Sequence, residues 1–347
     1  MDTVGILLRA GAEGRDVGSV ADDFDRVEVP AAMAYALGLD PDPEAAGEGV
    51  AIPDGRLVVL AGPGVVGTRS IDGLRAFAMA ANIPVANTWG AKGVLPWDSP
   101  HHMGTCGLQA RDFELLDFAS YDAIVATGTD LAESPEERFA LAPFVDISPT
   151  ALGHLAGEAT PGSEPIPSNQ LYTRLSAVAQ PGYADDRVPL HPARAVADVR
   201  AASPPGGVVV ADPGVAGLWV ARTFPTTEPG SVVVPAIATP GIAAALALVA
   251  ALRGLPAVAV TTEPLDQTTL GVLELATELA TALTIDVWAA GGPVRRAQEH
   301  LEHLRAAVSE PGVTIVDVPV DTSLTRKLVD AAGPVVAWGG LPGRAPR

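Results

Sequence analysis

The sequence contains little cysteine, lysine or aromatic residue. It has 347 residues with a single cysteine, Cys106, which excludes internal disulfides and any cysteine-based metal cluster. Only Lys92 and Lys327 are lysines, and the formal net charge at pH 7 is −19. Because non-specific nucleic-acid binding depends on a cationic surface, we expect no nucleic-acid partner.

The sequence also gives no clear signal for export or for membrane insertion. The amino terminus has a short apolar run without a preceding basic region, so we predict no signal peptide. The uncharged run 231–252 is long enough to span a membrane as a helix, but Pro235, Pro240 and Gly241 interrupt it. We expect a strand, a turn and a buried helix there, in a cytoplasmic protein without membrane contact.

The alternation of buried-strand runs with helix-periodic segments predicts an α/β protein with two doubly wound, Rossmann-like domains and mostly parallel sheets. The length suits two domains that each bury a core. We predict four regions along the chain: an N-terminal arm at 1–55, a first domain at 56–160, a linker rich in Pro, Ser and Gly at 161–188, and a second domain at 189–347.

One loop in the first domain has an unusual content. It reads Gly90-Ala91-Lys92-Gly93-Val94-Leu95-Pro96 and continues to Pro100-His101 and Gly104. Together with the turn Gly62-Pro63-Gly64-Val65, it resembles the central domain of thiamine-diphosphate-dependent enzymes of the acetolactate synthase type. In that family a GxGV turn opens a helix, and a GKGxxPxxHPxxxG loop follows the next strand. The resemblance implies a domain that in some members binds a flavin or an adenine nucleotide.

The same turn formally satisfies the dinucleotide pattern GxGxxG, at Gly62 to Gly67. The strand after it ends at Asn87, without the acidic residue that would hold a ribose. We therefore favour the interpretation that these glycines are needed only for a tight turn. A site for FAD or an adenine nucleotide is the alternative. The residues that would form such a nucleotide site are Gly62, Gly64, Val65, Gly128, Asp130 and Asp146.

The second domain resembles the diphosphate-binding domain of the same family, over most of its length. The resemblance implies thiamine diphosphate and Mg²⁺ as cofactors, bound by residues that match the family's motifs: Asp212, Gly214, Thr239, Gly241, Gly291 and Gly292. The metal-binding GDG motif falls on Pro264-Leu265-Asp266 or on Thr262-Glu263-Pro264. This leaves Glu263 and Asp266 as the candidate Mg²⁺ ligands, and the family's Asn-Asn position is Gly291-Gly292. Mg²⁺ prefers carboxylate and amide oxygens, so we expect a degenerate site.

These observations give two functional hypotheses. The first is a truncated thiamine-diphosphate enzyme homologue without the pyrimidine-binding domain, which in the family carries the glutamate that activates the cofactor. It would be inactive alone, or act as a C–C lyase or transferase on a 2-oxo acid with a separate pyrimidine-domain subunit. The alternative is a non-catalytic nucleotide-binding or scaffold protein. The family builds its sites between subunits, so we expect at least a homodimer.

The histidines give no strong metal signal. The adjacent His101 and His102 point apart on an extended loop, which is poor geometry for chelation, and we expect them to pack the loop or lie at the surface. His300 and His303 fall at i, i+3 spacing on a predicted helix, with Glu299 and Glu302 nearby. We expect a solvated helix face there rather than a metal pair.

Overall fold

The computed structural model describes residues 29–41, 52–159, 162, 166 and 168–341, which form two compact units. The first domain comprises residues 34–178, 225–230 and 326–341, and the second comprises residues 29–33, 179–224 and 231–325. Most of the predicted arm, 1–55, lies outside the described residues. Within it the structure has a short helix, α1 (Ala31–Ala36).

The first domain is built on a sheet of five parallel strands in the order β3-β2-β1-β4-β5. The strands are β1 (Leu57–Ala61), β2 (Val85–Thr88), β3 (His102–Cys106), β4 (Ala123–Thr127) and β5 (Phe144–Asp146). Strand β1 is buried along its whole length, as befits the centre of a parallel sheet with both faces covered. The strand order reverses between β1 and β4, so this sheet has a topological switch point where those strands end.

Short and long helices cover this sheet: α2 (Gly64–Gly67), α3 (Ile71–Ala81), α4 (Asp112–Leu115), α5 (Glu136–Phe139), α6 (Leu152–Leu155) and α7 (Gln170–Tyr183). Helix α3 has the apolar stripe that the sequence predicts. Its residues Ile71, Leu74, Phe77, Ala78 and Ala81 are all buried, at the helical spacing that directs them to one side.

The second domain repeats the architecture with five parallel strands in the order β10-β9-β8-β6-β7. These are β6 (Val208–Ala211), β7 (Val232–Val233), β8 (Ala257–Thr262), β9 (Leu283–Ala289) and β10 (Val313–Pro319). The order reverses between β6 and β8, which places a second switch point at the ends of those two strands.

The helices of this half are α8 (Pro192–Ala202), α9 (Val215–Thr223), α10 (Ile242–Leu252), α11 (Gln267–Glu278) and α12 (Ala297–Ala307); α13 (Thr325–Ala332) falls almost entirely in the first domain. Helix α10 is buried on all sides from Ile242 to Ala250 and packs against β6 and β8. This agrees with the expected strand, turn and buried helix. None of the described helices has the length and hydrophobicity needed to cross a bilayer.

The α/β class with two Rossmann-like domains is therefore confirmed, whereas three local expectations are wrong. His102–Cys106 is a strand (β3), not a loop. The apolar run Val335–Trp338 predicts a strand, but it forms a single bridge from Val335 to Gln109 and a 3-10 turn. The expected linker at 161–188 contains helix α7. Leu171 and Leu175 lie one turn apart on it and pack on the core of the first domain, so this Pro-flanked stretch has an apolar face to bury.

The chain segments in each domain also differ from the predicted boundaries. Residues 225–230 and 326–341 group with the first domain. The side-chain amide of Gln109 donates to Leu328 O at 2.9 Å and to Gly333 O at 2.7 Å, and Trp97 N donates to Thr226 O at 2.9 Å. Contacts between such distant parts of the sequence cannot be predicted from its composition.

Candidate functional site

The carboxyl edge of the second sheet brings together most of the residues predicted to bind the cofactor. Asp212 follows β6, Glu263 follows β8, and Gly291 and Gly292 come shortly after β9. Neighbouring parallel strands end at the same edge, and this is the edge of the switch point. These candidate residues therefore lie along one edge of the sheet, and their contacts define which groups the edge can bind.

Asp212 forms hydrogen bonds through both carboxylate oxygens. Ala243 N donates to its Oδ1 at 2.9 Å and Thr261 Oγ1 donates to its Oδ2 at 2.6 Å. Burial raises the pKa of this carboxyl, hydrogen bonds from Thr261 and Ala243 oppose that shift, and the charge of Asp266 adds to it. Asp212 thus ties β6 to β8 and to the first turn of α10.

Asp266 caps helix α11. Its Oδ1 accepts from Thr269 N at 2.9 Å and its Oδ2 accepts from Thr269 Oγ1 at 3.0 Å. This is the usual use of aspartate at a helix start, where the first backbone N–H groups lack partners within the helix. Both oxygens of this candidate metal ligand therefore have intramolecular partners.

Glu263 lies at the exposed rim of the edge. Its Oε2 accepts from Ala290 N at 3.2 Å, which connects the ends of β8 and β9. Gly291, which stands at the family's asparagine position, has no atom within 4 Å of the place where a side chain would begin, and Gly292 lies against the backbone of Asp317. Neither glycine can supply a side-chain oxygen.

The turn before α10 accounts for the remaining predicted cofactor residues. Gly241 has φ +71°, and a Cβ there would lie 2.9 Å from Thr268 Cβ and Thr269 N, so the turn packs directly on the start of α11. Thr239 accepts from Ile242 N at 3.2 Å through its carbonyl. Gly214, with φ +130°, precedes α9. Gly214, Thr239 and Gly241 are therefore explained by backbone geometry alone.

The nucleotide residues predicted in the first domain converge at its own switch point. Gly62 N donates to Thr127 O at 2.9 Å and Gly64 N donates to Gly128 O at 2.8 Å, while Val65 N donates to Gly62 O at 3.2 Å. A Cβ on Gly62 would lie 2.2 Å from Gly128 O. The glycines allow two backbone segments to touch, and the amide groups that would hold a phosphate already have partners.

The two acidic residues of that predicted set do not extend the site. Asp130 Oδ1 accepts from Ala132 N at 2.8 Å, a turn within its own loop. Asp146 is the last residue of β5, the strand at the edge of the sheet. The contacts of the turn therefore fit the interpretation of glycines required for packing.

A buried polar group in the first domain was not recognised in the sequence. Glu133 is 3% exposed, and its Oε2 accepts from Gly90 N at 3.1 Å. Burial raises the pKa of Glu133 to about 7, although the hydrogen bond from Gly90 N opposes the shift. A Cβ on Gly90 would overlap this carboxylate, so the glycine in the Gly90–Gly93 loop makes room for Glu133.

One of the two adjacent histidines, His102, forms a hydrogen bond between neighbouring strands. His102, on β3, has its Nε2 3.0 Å from Asn87 Oδ1. Burial lowers the pKa of His102 to about 4, and the nearby charge of Lys92 adds to that effect. The imidazole is therefore neutral at pH 7, and its packing role agrees with the sequence expectation for the pair.

The expectation of a solvated face for both His300 and His303 is wrong for His300. His303 is exposed, but His300 is fully buried between two carboxylates, with Nδ1 3.1 Å from Asp198 Oδ2 and Nε2 3.0 Å from Asp286 Oδ1. Burial alone lowers the pKa of His300, but Asp286 and Asp198 outweigh burial and raise it to about 9. An imidazolium here belongs to a buried ion network, not to a metal site.

Comparison with known proteins agrees with this architecture. Residues 54–159 match the family model described as thiamine pyrophosphate enzyme, central domain. No curated protein sequence matches the chain.

Solved structures with the same fold include two bacterial proteins. One is described as a putative thiamin diphosphate-dependent enzyme from Mycobacterium smegmatis, with 17% identity and a TM-score of 0.59 over 76% of this chain and 61% of that one. The other is a thiamine diphosphate-dependent 4-hydroxybenzoylformate decarboxylase from Rhodococcus jostii, with 15% identity and a TM-score of 0.59 over 77% and 61%. This chain thus spans about three fifths of the length of those structures.

The match over residues 54–159 confirms the resemblance seen in the Gly90–Gly104 loop. The chain also shares the fold of the two solved structures.

The residues at the edge of the second sheet do not fit magnesium diphosphate. Asp266 caps a helix, Glu263 binds a backbone N–H at the rim, and glycine stands where an amide ligand is required. Within the part of the chain that the structure describes, no group of three or more His, Cys, Asp or Glu side chains is placed to hold a metal ion. The donor set lacks the oxygens that would bind the metal and neutralise the phosphates.

Proposed function

We propose that this chain is a thiamine-diphosphate enzyme homologue that does not hold magnesium thiamine diphosphate by itself and is catalytically inactive alone. The observation that supports this most directly is the use of Asp266 as a helix cap, with both oxygens on Thr269. A diphosphate at this edge would meet Asp212 and Asp266 without a metal between them. The formal charge of −19 on the chain makes such an approach less favourable still.

The version of this proposal that retains an activity requires a partner. A separate pyrimidine-domain subunit would supply the glutamate that activates the cofactor, and the pair would act as a C–C lyase or transferase on a 2-oxo acid. The decarboxylase from Rhodococcus, to which this chain is similar in fold, acts on a substrate of that class. Because a partner's glutamate would not replace the Mg²⁺ ligands, we favour the inactive form, a scaffold assembled as a homodimer or larger homo-oligomer.

Nucleotide binding by the first domain is the weaker alternative. The GxGxxG turn follows a strand and precedes a helix, as a dinucleotide site requires. Its N–H groups, however, donate to Thr127, Gly128 and Gly62, and a side chain has no room at Gly62 or Gly64. This packing favours a structural role for the glycines over an FAD or adenine-nucleotide site.

Thermal unfolding of the purified protein with and without thiamine diphosphate and Mg²⁺ tests the proposal. A ligand present at 100 times its dissociation constant adds about 2.7 kcal/mol of stability, a shift of several degrees for domains of this size. We expect no shift at millimolar ligand. A clear shift that EDTA abolishes would show that the edge binds the metal complex, and would contradict the proposal.

A further inference from the structure

We propose that Asp212 and Asp266 act as built-in anions that close the carboxyl edge of the second sheet to a diphosphate. This inference rests on the proposed function and adds a cause to it. Loss of the metal ligands only removes an attraction for the cofactor. The two aspartates would exclude a phosphate group actively, because they place negative charge on the helix amino termini that it would use.

The first of these donors lies at the start of α10. Gly241 is the N-cap residue of this 11-residue helix and has no side chain with which to cap it. Asp212, 31 positions earlier on the chain, supplies the cap instead, accepting from Ala243 N at 2.9 Å. A helix amino terminus offers free N–H groups and a positive end of the helix dipole, which together favour an anion. Here the anion belongs to the protein.

The second donor lies at the start of α11, a 12-residue helix. Asp266 accepts from both the backbone N–H and the hydroxyl of Thr269. Taken alone this would be an ordinary N-cap. It differs in standing within the stretch that matches the family's metal-binding GDG motif, where a carboxylate would have to face the metal instead of its own helix.

The two capped helix starts are neighbours. Gly241 packs against Thr268 and Thr269, so the amino termini of α10 and α11 approach each other at the edge. Burial has the largest effect on the pKa of the Asp212 carboxyl and raises it, and the negative charge of Asp266 raises it further. A diphosphate would add more negative charge beside this pair and would have to displace at least one of the two carboxylates from its N–H partner.

The test is a double substitution, Asp212→Asn with Asp266→Asn, titrated with inorganic pyrophosphate in a calorimeter at constant ionic strength and without Mg²⁺. Asparagine keeps an oxygen that accepts from Ala243 N and Thr269 N, and it is a favoured N-cap residue, so the fold is preserved while two charges are removed. We expect the variant to bind pyrophosphate about tenfold more tightly than its control, or better.

The matched control is Glu302→Gln with Glu310→Gln, which removes two charges from exposed positions of the same domain. Equal affinities of the two double variants for pyrophosphate would overturn the inference while leaving the proposed function intact. If the first double variant fails to fold, Asp266→Asn alone is compared with Glu302→Gln, and a gain in the same direction is required. Binding of magnesium thiamine diphosphate by the unchanged protein would contradict the proposed function instead.

Discussion

Glu133 is a single residue whose ionisation is set by the fold near neutral pH. Its carboxylate is buried against Gly90 and accepts a hydrogen bond from Gly90 N. The carboxyl pKa is raised from 4.5 to about 7, so the folded state binds a proton more tightly than the unfolded chain between those values. The stability contributed by protonated Glu133 is therefore present at low pH and is lost as the pH rises from about 4.5 to about 7.

Glu133→Gln should remove this pH dependence. Glutamine keeps an oxygen for Gly90 N and carries no charge to desolvate, so above pH 7 the variant should be more stable than the wild type by up to about 3 kcal/mol. The difference should shrink towards zero below about pH 5. Denaturant unfolding of both proteins from pH 5 to pH 8 measures the stability difference and its change with pH. Glu137→Gln, at an exposed position nearby, is the control, and a difference that does not change with pH would refute the account.

Individual site residues were predictable by position but not by role. Counting from the family motifs placed the candidates Asp212, Glu263 and Asp266 just after β6 and β8, because strand ends follow from the sequence pattern. The roles depend on partners such as Ala243, Thr261 and Ala290, which lie 27 to 49 positions away in sequence. Asp266 is the exception, since an aspartate three residues before Thr269 at a helix start is itself an N-cap signal.

At the scale of elements, a buried ion network joins α8, β9 and α12. Arg194 Nε donates to Asp198 Oδ1 at 2.8 Å, Asp198 and Asp286 hold His300, and Trp288 Nε1 donates to Asp286 Oδ2 at 3.1 Å. Two positive and two negative groups thus balance inside the second domain. Removing one of them would leave an uncompensated buried charge.

His300→Gln should therefore destabilise the second domain by about 3–5 kcal/mol near pH 6. The pKa of His300 is raised from 6.5 to about 9, so the stabilisation by the imidazolium is fully present below about pH 6.5 and is lost as the pH rises through about 9. The deficit of the variant should narrow over that range in denaturant unfolding. His303→Gln, exposed on the same helix, should have almost no effect, and an equal loss in both variants would contradict the network's role.

Prediction at the element scale succeeded where periodicity was strong. Strand β1 and helix α10 are the clearest cases, since an uninterrupted apolar run specifies a buried element. Strand β3 was missed because its residues, His102 to Cys106, carry two polar side chains and a glycine inside a loop motif. The burial of His300 was missed because its partners Asp198 and Asp286 come from two other elements.

In the whole molecule, each of the two parallel sheets has a switch point, and different groups occupy the two switch points. In the first domain the switch point is filled by backbone packed on backbone, at Gly62, Gly64 and Gly128. In the second domain it is filled by the carboxylates of Asp212 and Asp266, each on a helix amino terminus. Both edges have the architecture of ligand sites, and at both edges some of the backbone N–H groups donate to partners within the protein.

We propose that this chain does not bind magnesium thiamine diphosphate on its own. Equilibrium dialysis of the purified protein against thiamine diphosphate at millimolar Mg²⁺, with the retained cofactor counted per chain, is the first experiment to make. We expect no retention above that of the same sample in EDTA. Retention close to one cofactor per chain, lost when EDTA is added, would show that the edge of the second sheet still holds the metal complex and would contradict the account.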